Sequence, residues 1–183
     1  VICSDKTGTL TKDEMTAKKI YVGGQVLDIT GTGYEPKGQF LIGNAAVVPS
    51  STVQRLLRAA ALASDTTIFL NNEDGRWHVK GDPTEGALVV AAAKAGLEKA
   101  ALDAQFPRVN EIPFSSETKR MTTIHTVPDG MMAYSKGAFE VILESCSKHM
   151  TDSGEAAITP VIKDKILQTA RQMGNEALRV LAV

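Results

Sequence analysis

The segment Cys3-Ser4-Asp5-Lys6-Thr7-Gly8-Thr9-Leu10-Thr11 concentrates more reactive chemistry than any other stretch of the chain. The apolar run before it, from Val1, reads as a short buried strand that delivers an acid to its carboxyl end, where α/β sheets place reactive groups. Lys6 adds a positive charge and Gly8 lets the backbone turn tightly. Thr7, Thr9 and Thr11 supply hydroxyls beside exposed N–H groups, a combination suited to an anion such as a transferring phosphoryl group. A carboxylate so placed can attack phosphorus and form an aspartyl-phosphate. Taken alone, the same residues also describe a strand closed by a glycine turn with an incidental acid.

Other chemistry is sparse. His78, His125 and His149 are scattered without metal-ligand spacing and read as surface or strand residues. Cys3 and Cys146 show no ligand spacing either, and a reduced cytoplasmic setting is the simpler expectation. No glycine-rich loop of the Walker type occurs.

The elements that must position Asp5 and its partners follow from pattern. Lys18 to Ile29 gives two β-rich runs around Gly23-Gly24, a hairpin signal. Residues 30–50 are rich in Gly, Pro and Ser and read as loop with at most short strands. Thr52 to Ala63 carries Val53, Leu56, Leu57, Ala60 and Ala61 on one helical face, with Ser51 or Thr52 as cap. After the turn cluster Asn71 to Gly75, Arg76 to Lys80 reads as a strand. Asp82-Pro83-Thr84-Glu85 opens a helix running to about Gly96, with Asp82 as cap, Pro83 in the first turn and Glu85 three residues after the cap. Val109 to Phe114, Arg120 to Val127 and Met131 to Ser135 are expected strands, the last two joined by a Pro128-Asp129-Gly130 turn. A short helix follows at Ala138 to Ser145. Thr159-Pro160 starts a helix that Gly174 is expected to stop, and Ala177 to Val183 is the final strand. Hairpins with helices between them predict an α+β fold built on a mainly antiparallel twisted sheet.

Bulk properties set outer limits. The chain has 183 residues, 43% hydrophobic and 22% charged, enough for one well-packed domain with a small appendage. A formal net charge of -1 gives no electrostatic reason to expect a nucleic-acid or anionic-membrane partner. No apolar run approaches the roughly 18 to 20 residues needed to span a bilayer. Both ends read as strands interrupted mid-fold, so a fragment is expected.

The run D-K-T-G-T-L-T at Asp5 to Thr11 resembles the phosphorylation signature of P-type ATPases at every position. Later segments resemble the nucleotide-binding domain of the same family, in the family's order. They are Tyr34-Glu35-Pro36-Lys37-Gly38, Lys80 to Leu88 around Asp82-Pro83-Thr84-Glu85, Phe114 to Met121, Tyr134-Ser135-Lys136-Gly137-Ala138 and Leu178-Arg179-Val180-Leu181-Ala182. The resemblance covers essentially the whole chain. It implies a short piece of the haloacid-dehalogenase-like phosphorylation domain at residues 1–12, acting as strand and hinge, and a nucleotide-binding domain at 13–183.

The resemblance also implies roles. Asp5 would be the nucleophile, with Lys6 and the Thr7 hydroxyl stabilising the phosphoryl group and Mg²⁺ held by Asp5 and the Thr7 carbonyl. Phe114 would stack on the purine, Glu85 contact adenine, Lys136 and Gly137 line the pocket floor, and Lys119 and Arg179 reach the nucleotide. Each has an ordinary alternative: a core aromatic for Phe114, a capping-box partner for Glu85, exposed strand charges for Lys119, Arg120 and Arg179. Ser116 stands where related calcium pumps often carry a phosphate-binding arginine, so Lys119 or Arg120 is left to compensate.

The expected function is therefore ATP binding within a cation pump, with a lean toward calcium, as a cytoplasmic domain of an integral membrane protein. The expected ligands are ATP or ADP with Mg²⁺, and the expected partners are the remaining phosphorylation, actuator and transmembrane domains. The chain itself is expected to be monomeric and to bind nucleotide without turnover, since no Gly-Asp-Gly-x-Asn-Asp segment occurs in it. The alternative is a soluble aspartate-nucleophile phosphatase of the haloacid dehalogenase superfamily. Such enzymes usually carry a second Asp two residues on, where this chain has Thr7. A non-catalytic nucleotide sensor is a third reading.

Overall fold

The computed structural model describes residues 14–183. The expected first strand, the Asp5-Lys6-Thr7 motif and the proposed division near residue 12 lie outside them.

The chain first forms a four-stranded meander, β1 (Lys19–Val22), β2 (Gln25–Ile29), β3 (Phe40–Ile42) and β4 (Ala45–Val47), in sequential order. Gly23 and Gly24 take the left-handed conformation, φ 61° and 80°, that a tight two-residue hairpin turn requires. Side-chain alternation then sends Ile20, Leu27, Ile29 and Phe40 into the core. They meet α1 (Ser51–Leu62), which contributes Val53, Leu57, Ala61 and Leu62 to the same cluster. Full burial of a side chain such as Leu57 or Phe40 contributes about 1.5–3 kcal/mol.

A hairpin of β5 (Thr67–Asn71) and β6 (Arg76–Lys80) leads into α2 (Pro83–Lys94), whose small residues Ala91 and Ala92 let it lie close on α1. Then come α3 (Lys99–Gln105) and three long strands, β7 (Arg108–Ser115), β8 (Arg120–Val127) and β9 (Gly130–Ala138). With β12 (Leu181–Ala182) they make a second antiparallel sheet in the order β12-β9-β8-β7. Met121, Thr123 and His125 alternate onto its buried face, and the Thr123 hydroxyl donates to the Leu62 carbonyl of α1 at 3.3 Å. Between β9 and β12 run α4 (Phe139–Ser145), the hairpin β10 (Lys148–Thr151) and β11 (Gly154–Ala157), and α5 (Pro160–Asn175).

The α+β class holds, and every strand pairing among the described residues is antiparallel. Among the described residues the strands form four separate sheets rather than one. The α1 cap is Ser50, whose Oγ accepts from the Val53 N–H, so the helix begins earlier than Ser51 or Thr52 as cap would allow. Helix α5 passes through Gly174 and ends at Asn175. The left-handed residue after it is Ala177, φ 59°, which shortens the expected final strand to Leu181–Ala182. All three histidines sit on strands, but His125 is fully buried rather than at the surface. One of its ring nitrogens lies 2.7 Å from the Phe106 carbonyl and the other 3.0 Å from the Thr123 hydroxyl.

Candidate functional site

Helix α2 starts where its sequence dictates. Asp82 Oδ1 accepts from the Thr84 and Glu85 N–H groups at 2.8 and 3.1 Å, with Pro83 in the first turn. The Glu85 carboxylate serves a different purpose from the other half of a capping box. Its Oε2 accepts from the Asp65 N–H (2.8 Å), the Thr66 N–H (3.1 Å) and the Thr66 hydroxyl (3.0 Å). Its Oε1 meets the Lys136 ammonium at 2.6 Å.

Lys136 extends from β9 beneath the C-terminal end of α1. It is only 7% exposed, and its Nζ donates to the Ala63 carbonyl as well as to Glu85, with Ser64 Oγ at 3.3 Å and Met121 Sδ at 2.9 Å. The last carbonyls of a helix lack intrahelical donors and carry partial negative charge, so a cation there is favoured on both counts. Burial pulls the Lys136 pKa below the usual 10.5, and the hydrogen bond and charge of Glu85 oppose that shift without cancelling it.

The other expected residues surround this pair from separate elements. Arg179, just before β12, is exposed and donates to Thr84 Oγ1 at 3.0 Å, so it stands next to Glu85 at the start of α2. Thr84 Oγ1 also faces Met15 Sδ at 3.4 Å, on the chain leading back toward Asp5. Gly137 follows Lys136. A β-carbon at Gly137 would run into the Lys119 carbonyl oxygen and the Arg120 backbone. The close approach that Gly137 permits is thus between β9 and the β7–β8 turn, where the Ala138 N–H donates to the Lys119 carbonyl at 2.9 Å. Lys119 is exposed in that turn with φ 51°.

Phe114 lies on the edge strand β7 and is 63% exposed, which excludes a core role. The β7–β8 register slips between Ile112 and Ser115, opposite Thr122 and Arg120, so Pro113 and Phe114 together face Met121. Such a bulge re-aims side chains at a sheet edge. Since Met121 pairs with Lys136, Phe114 stands in the same row, two strand spacings or about 10 Å from the Lys136 backbone. Phe114, Lys119, Gly137 and Lys136 are therefore gathered at one end of the β7–β9 sheet, while at the start of α2 Glu85 engages Lys136 and Thr84 receives Arg179. Asp5, Lys6 and Thr7 lie outside the described residues. Arg120 is tied to Ser145 Oγ at 3.0 Å, and Ser116 is exposed.

Arg108, which lies outside every sequence motif above, belongs to the same construction. Its Nη2 donates to the Leu62 and Ser64 carbonyls at 3.1 and 3.0 Å, and its Nη1 to Asp65 and to Glu111, the latter at 2.8 Å. A hollow of about 250 Å³ beside it is lined by Ser64, Asp65, Thr67, Lys99, Asp103 and Arg108. Phe114 and Lys136 do not line it; Phe114 is exposed at the sheet edge and Lys136 is buried. Among the described residues no group of three or more His, Cys, Asp or Glu is placed to hold a metal ion. None of the helices described is long and apolar enough to cross a membrane.

Comparison with known proteins gives this arrangement a context. Residues 52–183 match the model of the cytoplasmic N domain of P-type ATPases. Over its full length the chain is similar to a cation-transporting ATPase of Synechocystis sp., 38% identical over 189 residues. It is similar to the calcium-transporting ATPase of Bacillus subtilis, 35% over 186 residues, and to the human calcium-transporting ATPase type 2C member 1, 35% over 190 residues. The chain spans about a fifth of these relatives, 20%, 21% and 20% of their lengths respectively.

Proposed function

The chain belongs to the P-type cation-transporting ATPases, within their cytoplasmic N domain, and from that premise we propose that it is the part of a membrane pump that holds ATP. The observation that carries this reading is the pairing of an exposed edge aromatic, Phe114, with a buried ammonium, Lys136, in one row of the β7–β9 sheet. An exposed ring on a strand edge offers a purine a stacking face, worth roughly 1–3 kcal/mol per base. Glu85 Oε1 engages Lys136 alone and keeps a second acceptor site for an exocyclic amine. Lys119 and Arg179, both exposed, supply positive charge for the phosphates. Arg179 would leave Thr84 Oγ1 to do so, exchanging a neutral acceptor for a charged one.

In the parent pump, a carboxylate oxygen of Asp5 attacks the γ-phosphorus of the bound ATP. The bond from phosphorus to the β,γ-bridging oxygen breaks as the new one forms, and ADP departs. Mg²⁺, when bound, would neutralise developing phosphoryl charge, and the residues assigned to it, Asp5 and Thr7, precede the described segment. Thr7 in place of a second acid leaves no adjacent general base for water, which favours a persistent phosphoaspartate and hence transport over simple phosphatase activity. The transported cation is read as calcium, consistent with the names of two of the relatives. The domain would lie on the cytoplasmic side of the membrane, joined to phosphorylation, actuator and transmembrane domains. Titration of the ¹⁵N-labelled chain with ATP tests the binding claim: saturable shifts at Phe114 and Lys136 support it, and their absence refutes it.

A further inference from the structure

We propose that Arg108 is a positioning residue for the nucleotide site, fixing the Lys136 ammonium by occupying the helix carbonyls on either side of the one that Lys136 uses. This rests on the ATP-binding reading above.

The end of α1 and the turn that follows it present three successive carbonyls. Those of Leu62 and Ser64 go to Arg108 Nη2 at 3.1 and 3.0 Å, and that of Ala63, between them, goes to Lys136. The next two backbone N–H groups, of Asp65 and Thr66, go to Glu85 at 2.8 and 3.1 Å. Three side chains from β7, β9 and α2 thus hold residues 62–66, and two of them belong to the nucleotide face. Orphan carbonyls at a helix C-terminus attract any nearby cation. With Arg108 on two of them, the Lys136 ammonium takes only the third, alongside Glu85, Ser64 Oγ and Met121 Sδ. The other guanidinium nitrogen, Nη1, is held by the Asp65 and Glu111 carboxylates, so Arg108 is anchored through both nitrogens. A planar fork reaches two carbonyls and two carboxylates at once, which an ammonium cannot do. Without Arg108, the Ser64 carbonyl, and the Leu62 carbonyl left with the Thr123 hydroxyl alone, compete with Glu85 for Lys136 and the site loses its fixed geometry. Arg108 acts through Lys136 and not by touching the nucleotide.

The test uses R108M and R108K, with ATP affinity by calorimetry and the Lys136 side-chain NMR signal in the nucleotide-free chain. The proposal expects a displaced Lys136 signal and an ATP affinity about threefold to tenfold weaker in R108M. R108K should be similar but milder, and serves as the readout if R108M fails to fold. The affinity loss must vanish when R108M or R108K is combined with K136M. An unmoved Lys136 signal with wild-type affinity overturns the proposal, as does a loss that persists undiminished in the K136M background. If the wild-type chain fails to bind ATP, the functional reading falls and this proposal falls with it. If the wild type binds and R108M and R108K bind equally well, only this proposal falls.

Discussion

The Lys136 ammonium on β9 and the Glu85 carboxylate on α2 lie 2.6 Å apart, with side chains only 8% and 13% exposed. The pair joins the second sheet to the helical layer, and each partner also satisfies backbone groups at the end of α1. A buried pair of this kind contributes little net stability relative to apolar residues of similar shape, but it is costly to break from one side.

The K136M substitution is accordingly expected to destabilise the chain by about 3 kcal/mol, leaving Glu85 half-satisfied and the Ala63 carbonyl without its donor. The three donors remaining to Glu85 keep the loss near the lower end of the usual range. Adding Glu85→Gln removes the stranded charge, so the double variant should be more stable than the sum of the two single losses by about 1 kcal/mol or more. Urea unfolding of the four proteins measures this coupling, and strict additivity would contradict it.

The same lysine predicts a pH dependence. Its folded pKa lies below 10.5, with burial as the main cause and Glu85 as the opposing influence. Between that lowered value and 10.5 the unfolded chain binds more protons than the folded one, so stability contributed by this group rises with pH across that window. Below the folded pKa the contribution is flat. The slope cannot exceed about 1.4 kcal/mol per pH unit for one group. Unfolding measured from neutral pH to about 10.5 should show wild type gaining stability relative to K136M, and parallel curves would refute the assignment.

Phe114 is expected to divide stability from binding. Being largely exposed on an edge strand, it should tolerate F114A within about 0.5 kcal/mol of stability. ATP affinity should nevertheless fall by about 1–3 kcal/mol, the value of one stacked base. Calorimetric titration alongside urea unfolding separates the two, and undiminished affinity would show that the ring is not the stacking platform.

Local chemistry made much of this fold legible in sequence. Asp82-Pro83 marks the start of α2, Gly23-Gly24 the first turn and Thr159-Pro160 the start of α5, because each signal lies within a few residues of the bond it makes. Helix α3 carries no such signal: Glu98 makes no side-chain cap and only Leu102 is buried. The β10–β11 hairpin is similarly quiet, with few apolar residues over two four-residue strands. The burial of His125 was available in principle, since it continues the alternation of Met121 and Thr123 onto the inner face. Family motifs pointed to Phe114, Lys136 and Glu85. Sequence could not reveal that Glu85 holds the Asp65 and Thr66 N–H groups, or that Arg108 reaches carbonyls 44 and 46 residues earlier, because those bonds exist only once α1, α2 and the second sheet are packed together.

One end of the β7–β9 sheet, with the start of α2, is the proposed ATP site. Two-dimensional NMR of the labelled chain titrated with ATP tests it most directly. Saturable shifts at Phe114, Lys136, Gly137 and Arg179 are predicted, with the Lys136 side chain perturbed at the same concentration as the backbone. Shifts absent from those residues, or confined to the hollow between Lys99 and Arg108, would contradict it.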